Sequence, residues 1–149
     1  MAGVAGALGL FGRRAEAMRA AVPSFVRALS AEDKTRSYPV PDKDGVQIDK
    51  ENRVILVRWL GSVYAFALSC PHQNTSLTWV EKAEHFQCPK HRSQYSADGY
   101  FLEGRATRGM DRYAIIADPK DAKKVIVDLA VLRKETDDKK IWEKTAVTL

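Results

Sequence analysis

Two cysteine–histidine pairs constrain this chain more than any other feature. The stretch CPHQNTSLTWVEKAEHFQCPKH places Cys70 and His72 in a C-x-H box and Cys88 and His91 in a C-x-x-H box, with fifteen residues between the boxes. Two such pairs on separate loops can close around one metal centre, so the fold must bring those loops together. Thiolate and imidazole in this pattern suit a tetrahedral zinc site, for which Cys2His2 is a common structural donor set. They equally suit a binuclear iron–sulfur cluster in which two thiolates hold one iron and two imidazoles the other. The third histidine, His85, lies off both boxes and is expected at the surface.

The surrounding sequence reads as a small β domain. Short apolar runs at Val46 to Ile48, Val54 to Leu60, Val63 to Leu68, Tyr113 to Ala117 and Val125 to Leu129 are broken by turn residues, as strands are. Gly61 and Ser62 are expected to make a hairpin turn, with further turns at Asp42 to Gly45 and Ala97 to Gly99. Three segments follow: a helical arm or signal/anchor remnant over 1–35, the β domain with both boxes over 36–130, and a tail over 131–149. The tail alternates charge and ends with Ile141, Trp142 and Val147, which predicts a short helix docking its apolar side, with Trp142 as a core residue.

The first segment, VAGALGLFG, is apolar for only about nine residues where a spanning helix needs roughly 20. Arg13 and Arg14 follow the apolar run instead of preceding it, the wrong order for a secretory or twin-arginine signal. Either the natural start lies upstream, or this segment is an amphipathic arm whose stripe of Met18, Val22, Phe25, Val26 and Leu29 packs on a protein or rests on a membrane. Two cysteines in 149 residues exclude a disulfide framework. The net charge of +5 is spread among 19 acids without a basic run, which argues against nucleic acid and suits an acidic protein or anionic membrane face.

The two boxes resemble the ligand boxes of the Rieske family. The likeness continues through Ser93, Tyr95 and Gly99 in RSQYSADG and through the preceding hairpin RVILVRWLGSVYAFALS, covering about residues 44–130. It implies an all-β fold, an antiparallel sandwich carrying a cluster-binding subdomain, flanked here by short helical N- and C-terminal arms. It further implies one [2Fe–2S] cluster ligated by Cys70, His72, Cys88 and His91, transferring one electron at a time, with no substrate site of its own. Neutral imidazoles leave the oxidised core uncharged, which lifts such potentials to roughly −150 to +300 mV from about −400 mV for all-cysteine clusters. Ser93 and Tyr95 fall where the hydroxyls of high-potential members point at a bridging sulfide and a ligand thiolate, and Lys90 and Arg92 act in the same direction by charge.

Four positions depart from the Rieske subunits of cytochrome bc complexes. The disulfide cysteines of those subunits are replaced by Thr75 and Lys90, the apolar residue beside the first histidine is Gln73, and the proline after the third-loop glycine is Arg105. The resemblance therefore implies redox-protein partners, a cytochrome or subunits of a membrane oxidoreductase, with a quinol as a further candidate. It favours a membrane-associated or periplasmic setting over the cytoplasm. A soluble Rieske ferredoxin feeding an oxygenase is the rival within the family, and a zinc-stabilised binding module the rival outside it. A Rieske oxygenase needs a second, mononuclear iron domain for which the chain has no room.

Overall fold

A computed structural model describes residues 34–149; the helical arm expected over 1–35 lies outside the described residues except for its last two positions. Eleven strands form two antiparallel sheets. The larger contains β1 (Thr35–Pro39), β2 (Gly45–Asp49), β3 (Val54–Trp59), β4 (Ser62–Ala67), β9 (Arg112–Ala117), β10 (Lys124–Arg133) and β11 (Val147–Thr148). Its order is β1-β10-β9-β4-β3-β2, with β11 added beside β4. The smaller contains β5 (Thr78–Val80), β6 (His85–Gln87), β7 (Gln94–Ser96) and β8 (Phe101–Glu103) in sequential order. The all-β expectation is met; one ligand loop runs from β4 of the larger sheet to β5 of the smaller, and the other joins β6 to β7 within the smaller.

The run Val54 to Val57 is buried throughout because both faces of β3 are covered. Val54 and Leu56 pack with Val63, Ala65, Ile115, Val125 and Val127 on the inside of the large sheet. Ile55 and Val57 point the other way and pack with Phe66, Leu68, Phe86, Tyr95 and Met110 beneath the small sheet. A continuous apolar run is what a strand buried on two sides requires, whereas a half-exposed strand would alternate.

The large sheet curls until its two end strands meet. The Tyr38 hydroxyl on β1 donates to Asp49 Oδ2 on β2 at 2.8 Å, and Arg36 Nε donates to Asn52 Oδ1 at 3.0 Å. These side-chain bonds tie the edges that a flat sheet would leave open. The Asp49 carboxyl is held below the usual range by the Asn52 backbone N–H and side-chain amide, with the Tyr38 hydroxyl adding to them.

The hairpin between β3 and β4 turns one residue earlier than expected. Leu60 and Gly61 are its two central residues, at φ 47° and 78°, and Ser62 already pairs with Trp59. Both centres with positive φ make the tight turn that matches strand twist. Leu60 has no side-chain packing to lose, being 80% exposed, and Asp44 Oδ2 accepts from its N–H at 3.0 Å.

The tail docks as expected. Helix α1 (Lys139–Lys144) is capped by Asp138, whose carboxylate accepts from Ile141 N, and it buries Trp142 completely. The indole donates to Met110 O at 2.8 Å. Arg112, the first residue of β9, is also buried and lies with its guanidinium carbon 3.8 Å from the Trp142 ring centre. It donates to Trp142 O, Glu143 O and Asp98 O at 2.8, 3.2 and 2.7 Å. The first two carbonyls lie in the last turn of α1, where the helix presents partial negative charge to a cation.

Candidate metal centre

Each cysteine opens a loop with the same backbone frame. In the first, Cys70 N–H donates to Thr75 O at 2.8 Å and Asn74 N–H donates to Cys70 O at 2.9 Å. In the second, Cys88 N–H donates to Ser93 O at 2.8 Å and Arg92 N–H donates to Cys88 O at 2.9 Å. The fifth residue of each loop, Asn74 or Arg92, is left-handed, at φ 53° and 58°. Pro71 and Pro89 occupy the second place in both and restrict the loops before any metal is present. The histidine is third in one copy and fourth in the other, which accounts for C-x-H against C-x-x-H. The first loop grows from the end of β4 and is closed by a bridge between Ser69 and Ser76; the second joins β6 to β7.

The frames bring all four donor-type residues to one end of the small sheet. Cys70 and Cys88 are fully buried free thiols. The rings of His72 and His91 stand edge to face, 87° apart, with centroids separated by 4.8 Å. Nδ1 of each is buried without a hydrogen-bond partner. A buried ring nitrogen with no partner is costly unless a ligand takes its lone pair. These two atoms therefore fit metal coordination, and the thiols beside them fit it as well.

The local field favours the forms that bind metal. Burial pushes the Cys88 thiol up, but the backbone N–H groups of His91 and Lys90, with the Cys70 and Thr75 side chains, bring it below its ordinary value. The His91 imidazole is lowered by burial, then by His72, Lys90 and Arg105. A thiolate and a neutral imidazole are the states that ligate.

Tyr95 lies fully buried on β7 with its hydroxyl 3.2 Å from Cys70 Sγ. Burial, followed by that sulfur contact, pushes its phenol far above the ordinary range, so it keeps its proton. Ser93 is buried too, and its Oγ accepts from both Arg105 N and Ala106 N at 3.1 Å. Since a hydroxyl has two acceptor positions and one proton, both N–H bonds leave that proton as its donor. The third loop approaches so closely because residue 104 is glycine: at φ 112°, a Cβ there would lie 2.4 Å from Ser93 Cα.

His85 differs from expectation. It is half-buried on β6 opposite Val80 and Ser96, with its Nε2 enclosed and unpartnered, so it is a sheet residue and not a surface one. The sequence reading missed the Thr75 side chain as a neighbour of Cys88, having treated that position only as a missing cysteine. The hydroxyl was visible in the sequence, but its direction depends on the loop frame.

A curled β domain with two matched loops presenting two thiols and two imidazoles defines a metal–sulfur redox domain. The profile of the Rieske [2Fe–2S] domain matches residues 30–114, and the chain belongs to that family. Rieske domains bind one [2Fe–2S] cluster and act in electron transfer. The cytochrome b6-f complex iron-sulfur subunit of Chlorobaculum tepidum is 29% identical over 65 residues, which are 44% of this chain and 36% of that protein. The match thus spans about a third of the relative's length. Among solved structures, the cyanobacterial plasma membrane Rieske protein of Synechocystis PCC 6803 has a TM-score of 0.45 and 24% identity, covering 56% of this chain and 83% of its own.

Proposed function

We propose that Cys70, His72, Cys88 and His91 hold the cluster, thiolates on one iron and imidazoles on the other, and that the protein is a one-electron carrier of moderately high potential. It would serve as a subunit of, or partner to, a quinol- or cytochrome-linked chain at a membrane face. The bound cluster supplies a single reversible electron at a potential raised by histidine ligation. The remaining work belongs to the chain. The observation that carries the reading is the Tyr95 hydroxyl, protonated and 3.2 Å from Cys70 Sγ. A donor aimed at a ligand sulfur stabilises the extra negative charge of the reduced state and raises the potential. The Ser93 hydroxyl, which accepts from Arg105 N and Ala106 N, donates in turn toward Tyr95 and supports that donor.

Two paired donors also fit better than a single zinc ion. Among the described residues no three His, Cys, Asp or Glu side chains converge closely enough to hold one ion. A binuclear core asks for only two protein donors on each iron, so it needs no such convergence. Among the described residues no helix is long and apolar enough to cross a bilayer.

Redox potentiometry on the purified protein, followed by electron paramagnetic resonance, tests the proposal. A rhombic reduced-state signal of low average g with a midpoint above about −100 mV supports it. The same signal at a lower midpoint would favour the soluble ferredoxin reading, and a colourless protein containing zinc would overturn the cluster assignment.

A further inference from the structure

The end of the protein that presents His72 and His91 is unusual in what surrounds the rings. Lys90 and Arg92 flank His91 and are exposed, and Arg105 is brought alongside when its backbone N–H donates to Ser93 Oγ at 3.1 Å. None of these three cations forms an ion pair among the described residues, where the pairs are Arg58–Asp44, Arg108–Asp111, Lys124–Asp121 and Lys139–Glu135. Beside His72 the exposed residues are Gln73 and Asn74. The nearest exposed carboxylate along the third loop is Glu103, at the end of β8. Among the described residues the large exposed apolar side chains are Ile48, Leu60, Tyr100, Leu102, Ile116, Leu132, Ile141 and Leu149, and none belongs to segments 70–75, 88–93 or 104–107.

We propose that this collar of Lys90, Arg92 and Arg105 around the histidine edge is a docking surface for an acidic redox protein, which it orients by charge. The inference rests on the ligand assignment above, because only a cluster behind His72 and His91 makes this edge the exit for electrons. Unpaired cations around a reactive edge steer an anionic partner, whereas an apolar partner would find only Pro71 and Pro89 and no large exposed apolar side chain to cover. The polar collar also suits a short-lived complex, since exposed charge pairs hold partners weakly and release them readily. Arg108, held by Asp111, stays out of the collar.

The test uses the reduced holoprotein and one acceptor in two charge states: a basic mitochondrial cytochrome c, and the same protein with its lysines succinylated. Stopped-flow oxidation should be faster with the succinylated form at low ionic strength and fall about tenfold as salt is raised to roughly 0.5 M, with the basic form showing the opposite trend. The variant K90E/R105E should reverse this preference. K120E/K123E makes the same charge change on the exposed turn between β9 and β10, at the end of β9 away from Arg112, and should keep it. Equal effects of the two double variants, or rates indifferent to salt, overturn the proposal. If K90E/R105E fails to retain its cluster, K90Q/R105Q should show about half the change on a logarithmic scale, and no change overturns the inference. Absence of the rhombic signal from the unmodified protein is a different result and defeats the ligand assignment itself.

Discussion

Asn74 and Arg92 hold the same place in two copies of one backbone frame. Each is left-handed, and each N–H returns to the carbonyl of the cysteine four residues earlier. The two ligand loops are thus built alike although their side chains differ, and the offset of the two histidines is a one-residue difference on a common scaffold.

Replacing Arg92 by glycine should leave the loop intact and raise stability by up to about 1 kcal/mol, since glycine takes positive φ without a Cβ penalty. Arg92→Val should cost about 2 kcal/mol or more at the same place. Asn74 should show the same contrast with a smaller gain, because asparagine tolerates this conformation. Chemical denaturation of each variant pair checks the order.

Tyr95→Phe removes only the hydroxyl at Cys70 Sγ and should lower the midpoint potential. If that bond favours the reduced state by about 1.4 kcal/mol, the fall is about 59 mV for one electron. Potentiometry on the variant measures it directly. An unchanged potential would show that the hydroxyl donates elsewhere.

Gly104→Ala should act on the same property from a distance. Its Cβ would collide with Ser93 Cα and pull Arg105 and Ala106 away from Ser93 Oγ. Lower stability together with a lower potential is expected, measured by thermal melting and potentiometry, while Ser93→Ala should lower the potential with a smaller loss of stability.

Arg112→Met keeps most of the stem but leaves Glu143 O and Asp98 O without this donor, while Trp142 O keeps only the Thr145 N–H. Losing these partly buried bonds together with the guanidinium's packing on Trp142 should cost about 3 kcal/mol and lower the melting temperature by on the order of 10 °C, detaching α1 first. Loss of Trp142 fluorescence burial before the main transition would report that order. Arg112→Lys should recover little, because an ammonium cannot reproduce the planar fork or lie flat on the indole.

Asp49 gives a pH dependence with a defined sign. Its folded pKa is depressed, so its contribution to stability is fully present above the unfolded value of about 3.9 and is lost as pH falls through the folded value. Asp49→Asn should flatten the difference between urea midpoints measured near pH 6 and near pH 3, relative to the unsubstituted protein.

Much of this architecture was legible in the residues. The apolar runs from Val54 and Val63 announce the central hairpin, and the two boxes announce the metal centre before any fold is known. The strands β5 to β8 were harder to see, because three residues are too few to show a period of two. Leu60 looked like the end of a strand because it is apolar, yet an exposed turn position asks only for tolerable backbone geometry. The matched loop frames are backbone hydrogen bonds, to which side-chain identity gives almost no clue. Arg112 had no signature either: a single arginine at a strand start reads as a surface charge until Trp142 arrives from thirty residues away to cover it.

All four proposed ligands lie in the stretch that leaves the large sheet after Ala67 and comes back at Arg112, and at that point Phe66 and Arg112 are direct neighbours across β4 and β9. A further bond from Ala67 N–H to Asp111 O closes the same seam. The chain of 68–111 therefore leaves and rejoins the sheet through two adjacent strands, only about 5 Å apart. Such a piece can change the length of its loops without altering the strand order of the base, while its shared core with Ile55, Val57 and Phe66 fixes how the tip is seated.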